Sequence, residues 1–318
     1  MSNATGRQWP EAFALAERMA GQGDESVRAI LMYGSRLLKA NPDRHSALDF
    51  VVVVEEYRAF YRALSNHDEL GRPAGLMSVL ARVLAPNVIA YVPDEGALGI
   101  AKCLVISRSD FERALGPTPT DHFLLGRMVQ RIGVVWTASD AEREWVQDVV
   151  SGAHARVIHW MAPYLSGSFD APDLGRRLLE VCYQGELRPE SRGRASRIFE
   201  AQSGHFAEAL VPGLEAAVTA GTLRVRQDGR YELCEPVAAV ERRRWKRHFR
   251  RSKVRATMRW LKHTATFANW LPYIVRKVER HTGRTIRLTT LERKLPILFL
   301  WPRAIHVLLT RPKREIKP

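Results

Sequence analysis

Apolar positions change their rhythm near residue 138. Before it, short apolar and β-branched runs alternate with stretches whose apolar residues recur every three or four positions. The runs predict strands at Ala29–Tyr33, Leu48–Val54, Val88–Val92, Ala101–Ile106 and Ile132–Trp136. The run from Leu48 to Val54 reads as a strand covered on both faces. Helices are predicted over 10–22, 55–65, 77–84, 110–115 and 120–128. Strands interleaved with helices define an α/β sheet domain over 1–138.

Beyond that point the strand signal nearly stops. Ser139 and Glu142 form a capping box that opens a predicted helix to about Tyr164. Further helices are expected over 172–183 and 196–220. Thr222–Arg226 and Arg230–Leu233 flank Gln227-Asp228-Gly229, a hairpin signal. Helices followed by a small hairpin predict a mainly helical, winged-helix-like domain over 139–240.

Residues 241–318 differ in charge. They hold 23 of the 49 basic side chains but 4 of the 34 acidic ones, so this quarter carries +19 and the first 240 residues −4. An acidic body with a basic end points to an anionic partner. Val254, Met258, Leu261, Ala265, Ala268, Leu271, Val275 and Val278 recur at helical spacing, with Pro272 as a kink. Four of the eight tryptophans (Trp245, Trp260, Trp270, Trp301) fall here, as interfacial anchors do. The apolar run from Leu295 to Leu309 is interrupted by Pro296, Pro302, Arg303 and His306 and is too short for a transmembrane span. The segment reads as a basic amphipathic, membrane-binding tail. Nucleic acid competes as a partner, because aromatic and basic mixtures also bind single strands, but the long apolar stretches favour lipid. On this reading the body is complete by Leu233 and stays folded without the tail.

Composition adds two exclusions. With 46% apolar residues the chain is not wholly disordered. Cys103, Cys182 and Cys234 lie far apart, which argues against a disulfide framework or structural zinc and for a reducing compartment. The first residues lack a basic start followed by an apolar run, so no secretory signal is expected.

The candidate chemistry begins at Gly34-Ser35, at a strand end, with Asp49 in the next strand. Nucleotidyltransferases use this layout: glycine admits a phosphate, the serine hydroxyl holds its oxygens, and a strand carboxylate carries Mg²⁺. A second acidic residue two positions away would share the strand face, but Ala47 and Val51 stand there. Either the site is degenerate or a further metal contact comes from elsewhere.

Several segments carry a wider likeness: Tyr33-Gly34-Ser35, Leu48-Asp49-Phe50-Val51, Ile100–Ser107 with Lys102, Gly126-Arg127-Met128-Val129-Gln130-Arg131, and Cys182-Tyr183-Gln184-Gly185-Glu186-Leu187-Arg188. In this order they resemble the mitochondrial translocator assembly and maintenance family of phosphatidate cytidylyltransferases. That family also has one aspartate in this strand. The pattern departs at Arg36-Leu37, where the family has Gly-Val, and at Phe60-Tyr61, where it has Trp-His; its histidine-rich stretch is reduced to His67.

The resemblance implies a nucleotidyltransferase domain followed by a winged helix. The implied reaction joins CTP and phosphatidic acid, giving CDP-diacylglycerol and pyrophosphate with Mg²⁺, in phospholipid biosynthesis. It implies Asp49, Lys102 and Arg127 as catalytic residues, with Asp49 on the metal. Tyr33, Gly34, Ser35, Lys102, Tyr183, Gly185, Glu186 and Arg188 would form the nucleotide site. The expected place is the cytoplasmic face of a membrane, bound peripherally through 241–318. The alternatives are a nucleotidyltransferase acting on a small molecule, protein or RNA, and a non-catalytic nucleic-acid-binding protein.

Overall fold

The computed structural model describes residues 9–38, 47–67, 69–93, 99–184 and 193–266. These lie within one compact unit that extends to residue 267. Its centre is a mixed sheet of β1 (Val27–Tyr33), β2 (Leu48–Val54), β3 (Asn87–Tyr91), β4 (Ala101–Ser107) and β5 (Gly133–Thr137). The strand order is β3-β4-β2-β1-β5; β2 and β4 run parallel and the other neighbours antiparallel.

Both faces of the sheet are covered, which is why β2 reads as an unbroken apolar run. Ile30, Met32, Phe50, Val52, Cys103 and Val105 face one core. Against it pack α1 (Pro10–Gln22), α3 (Tyr57–Asn66) and α4 (Ala74–Val83). Phe60 and Tyr61 are buried here, and the Tyr61 hydroxyl accepts from Asn87 at 2.8 Å. Leu31, Val51, Val53, Leu104 and Ile106 face the other core. That core holds side chains of α5 (Arg108–Leu115), α6 (His122–Met128), α7 (Asp140–Ala155) and α8 (Val157–Met161). It also takes in α9 (Ala171–Gln184), α10 (Arg194–Glu200), α11 (Ser203–Ala209) and α12 (Val211–Thr219). A short α2 (Ser35–Leu38) follows β1.

Two long predicted helices are broken. Ser139 does cap α7, its Oγ accepting from Glu142 N at 3.2 Å, but the helix stops at Ala155. There α12 passes close: a Cβ on Gly213 would lie 2.6 Å from the His154 carbonyl oxygen. The predicted helix over 196–220 is divided among α10, α11 and α12. Gln202 leaves helical geometry to receive Arg131 N at 2.8 Å, and Pro212, which has no N–H, sits in the first turn of α12. The hairpin forms as expected, with β6 (Leu223–Val225) and β7 (Tyr231–Leu233) joined through Gly229 at φ +76°.

The basic segment begins as α13 (Ala239–Thr266), and this helix is part of the body. Trp245, Ser252, Arg259 and Thr266 recur every seven residues and are all buried. Edge strand β3 has outward carbonyls that need partners. Lys262 Nζ donates to Pro86 O just before β3 at 3.0 Å, and Thr266 Oγ1 to Val88 O at 3.0 Å. The expectation that the body is complete by Leu233 is therefore corrected: cutting after residue 240 would strip a core tryptophan and uncover a sheet edge. Among the described residues no helix is long and apolar enough to cross a membrane. The predicted stripe from Ala268 onward and the run from Leu295 to Leu309 lie outside the described residues.

Candidate active site

One row across the sheet gathers the sequence candidates. Tyr33 on β1 pairs with Asp49 on β2, and Asp49 pairs with Lys102 on β4. Paired residues of neighbouring strands project to the same face. This face is the one carrying Leu31, Val51 and Leu104, covered by the later helices. In β2 and in β4 the second residue is the one incompletely buried position. Those residues are Asp49 and Lys102, so opposite charges are register partners at the accessible end of a sheet whose interior is apolar. The carboxylate's charge also reaches the next strand: burial first, and Asp49 second, push the Cys103 thiol well above its ordinary pKa.

Gly34 closes the row for two reasons. Its φ is +88°, which favours glycine, and a Cβ there would lie 2.7 Å from Asp49 Oδ2. The turn and the carboxylate thus share a space that admits no side chain. Ser35 follows as the exposed first residue of α2, and Leu37 N bonds Gly34 O at 3.1 Å to tighten this turn.

Fit to Mg²⁺ depends on this donor set. Among the described residues no group of three or more His, Cys, Asp or Glu side chains forms a metal cage. Mg²⁺ is often held by one or two carboxylates with substrate phosphates and waters completing its octahedron. Asp49, partly exposed beside a glycine cradle, suits that mode.

The two remaining motifs meet each other at the α6–α9 contact. A Cβ on Gly126 would lie 2.6 Å from Cys182 Cβ, so glycine lets the helices touch. Gln130 Nε2 donates to Tyr183 OH at 3.1 Å, and Gln202 Nε2 donates to Gln130 Oε1 at 3.3 Å. Arg127 is buried on α6, its guanidinium 3.8 Å from the Phe123 ring centroid and donating to Phe123 O. The apolar side chains of α6 pack against the sheet face that bears Asp49. Gly185, Glu186 and Arg188 lie outside the described residues.

Beside Gln130 opens a cleft of about 800 Å³, lined in part by Arg131, His154, His205 and Glu208. Both imidazoles point Nε2 at Val129 O, at 3.0 and 3.4 Å. Burial, and then the neighbouring His154, push His205 down to about 4.

A second ion cluster escaped the sequence reading. Asp121 caps α6 by accepting from Phe123 N at 3.0 Å. Its Oδ2 also receives Arg259 Nη2 at 2.7 Å and Arg255 Nε at 3.1 Å. Burial alone would raise this carboxyl, but the Arg259 charge and the donated hydrogen bonds outweigh burial and lower it. The available signal was the seven-residue recurrence of Trp245, Ser252, Arg259 and Thr266, whose mixed chemistry hides it from a hydrophobic pattern.

No protein-family model matches this chain, and no curated protein matches it.

Proposed function

We propose that the chain is a nucleotidyltransferase with a winged-helix-like second part that transfers a cytidylyl group from CTP to phosphatidic acid. The observation carrying this reading is the Tyr33–Asp49–Lys102 row closed by Gly34. The acceptor's phosphate oxygen forms a bond to the α-phosphorus as the bond to the β-phosphate breaks, giving CDP-diacylglycerol and pyrophosphate. Lys102 supplies a compact positive charge for the triphosphate. Ser35 donates its hydroxyl to a phosphate oxygen, and Gly34 lets the backbone approach. Asp49 would hold Mg²⁺, which when bound neutralises charge on the triphosphate. Arg127 steadies the covered side of the site, while Tyr183, Gly185, Glu186 and Arg188 complete the nucleotide contacts in the family resemblance. The acceptor stays in the bilayer, so the enzyme works peripherally at the cytoplasmic face.

The test incubates the full chain with each labelled NTP, Mg²⁺ and vesicles containing phosphatidic acid. Label from CTP alone should enter the lipid fraction, with pyrophosphate released. Label transferred to a soluble small molecule, protein or RNA would replace this acceptor with another on the same site. No transfer from any NTP, with RNA bound tightly, would favour the non-catalytic reading.

A further inference from the structure

We propose that the folded body carries a membrane-docking face built jointly by α4 and α13, whose occupant is a bilayer surface containing anionic phospholipid. The inference rests on the membrane reading above and extends it to α4, an element of the sheet domain that the basic segment's composition does not implicate.

Each helix has one face fixed to the body and an opposite face left apolar. On α4, Met77, Ser78 and Ala81 point inward, while Leu76, Val79 and Val83 stand 47%, 57% and 73% exposed. On α13 the buried row is Trp245, Ser252, Arg259 and Thr266, and the exposed row is Val254, Met258 and Leu261. Neither exposed row can turn inward without breaking its helix's anchored side.

The two helices meet where α4 ends. Lys262 Nζ reaches the last carbonyls of α4, at Leu80 O (3.3 Å) and Leu84 O. Arg259 Nη2 donates to Ala85 O at 2.8 Å. Val83 and Arg255 line the same small cleft. One turn of α13 thus plugs the C-terminal end of α4, and each helix carries its own exposed apolar row, ending in Val83 on α4 and Leu261 on α13. Apolar residues exposed in a row on each of two meeting helices depart from the singly scattered ones of an ordinary surface.

Charge selects the occupant. Followed toward its N-terminus, the α13 row continues with the same three- and four-residue steps as Arg251, Arg247 and Arg244. These arginines, with Thr118, Trp245 and His248, line a cleft of about 180 Å³. Arg244 has an ion pair at 3.7 Å with Glu241, whereas Arg247 and Arg251 have none among the described residues. A surface whose cationic half runs into an apolar half matches a leaflet, with phosphates over the acyl boundary. Nucleic acid would use the first half and leave the second wet.

The experiment is flotation of the full chain with phosphatidylcholine vesicles, with and without phosphatidylglycerol. Three proteins are compared: the wild type, an α4 variant (Leu76→Gln, Val79→Gln, Val83→Gln) and an α13 variant (Met258→Gln, Leu261→Gln). Glutamine keeps helix propensity, and these positions are exposed, so the melting temperature should hold. Wild type should float with the anionic vesicles, and each variant should partition roughly tenfold more weakly. CTP binding without lipid should be unchanged. Flotation of the α4 variant equal to wild type would overturn the joint face while leaving the membrane reading intact. Failure of wild type to float would end both. Single-stranded RNA binding that Arg247→Gln with Arg251→Gln abolishes, with vesicles ignored, would assign the face to nucleic acid instead.

Discussion

Asp49 and Asp121 are both aspartates set beside a cation, and their surroundings divide their roles. Asp49 stands at the accessible end of the sheet, paired across strands with Lys102, with a glycine where a side chain would crowd it. Asp121 is 5% exposed and gives its oxygens to Phe123 N, Arg255 and Arg259. The buried carboxylate has its hydrogen-bonding capacity filled by the protein and ties α6 to α13. Asp49 is incompletely buried, so a metal or a ligand can reach it from solvent. Exposure, more than residue type, separates a structural ion pair from a candidate reactive one.

The largest expected effect is on the buried side. Asp121→Asn leaves Arg259, itself 1% exposed, without its counter-charge. Loss of one partner from a buried pair costs about 3–5 kcal/mol. Chemical denaturation should show this loss, together with weakened protection of α13 amides in hydrogen exchange. A stability equal to wild type would mean that the pair does not fasten the helix.

On the accessible side, Asp49→Asn should leave the melting temperature nearly unchanged while lowering cytidylyl transfer by at least ~100-fold, the scale of a lost electrostatic contribution to a transition state. Full turnover in that variant would remove Asp49 from the chemistry. Equal damage to fold and activity would erase the contrast between the two carboxylates.

Acid should act on the buried junctions first. Burial, and then His248, push His122 down to about 4, and His205 is displaced similarly. Between about pH 6.5 and about pH 4 the unfolded chain binds protons that the folded chain refuses, so stability falls as pH falls. A loss of about 2 kcal/mol or more across that window is expected from denaturation midpoints. His122→Gln should flatten the slope; an unchanged slope would exclude His122 as a source. Below this range Asp121 adds its own loss as its lowered folded pKa is crossed.

The smallest effect belongs to Lys102. Lys102→Met should weaken CTP binding roughly tenfold, about 1.4 kcal/mol, with stability held within about 0.5 kcal/mol. Calorimetry showing wild-type affinity would place the triphosphate elsewhere.

Legibility in the sequence followed how local each cause was. The runs at Leu48–Val54 and Ala101–Ile106 could be read as strands because both faces are apolar and the side chains β-branched. The Asp-Gly hairpin and the Ser139 cap could be read because turn and cap chemistry act within a few residues. Gly34 and Asp49 were legible as candidates together, since a strand-end Gly-Ser is an ordinary turn until a lone carboxylate follows at the right distance in the next apolar strand. Their contact, and the register that sets Lys102 opposite Asp49, needed the sheet.

The helical region was less legible. Helical periodicity runs through 139–164 and 196–220, yet the chain bends at Arg156 and again around Gln202 and Leu210. Close passage of Gly213 past His154 and the side-chain bonds of Gln202 come from residues distant in sequence.

The basic segment shows the division most clearly. Charge and spacing alone predicted a basic segment from residue 241 with an amphipathic helix from Val254 onward, because propensity and periodicity are properties of neighbouring residues. Tertiary structure decided which face is inside. The apolar row of Val254, Met258 and Leu261 points outward, and the mixed row of Trp245, Ser252, Arg259 and Thr266 goes in. Burying Arg259 and Lys262 needs Asp121 and the carbonyls at the end of α4 and the start of β3, and only the folded chain brings those acceptors to the helix.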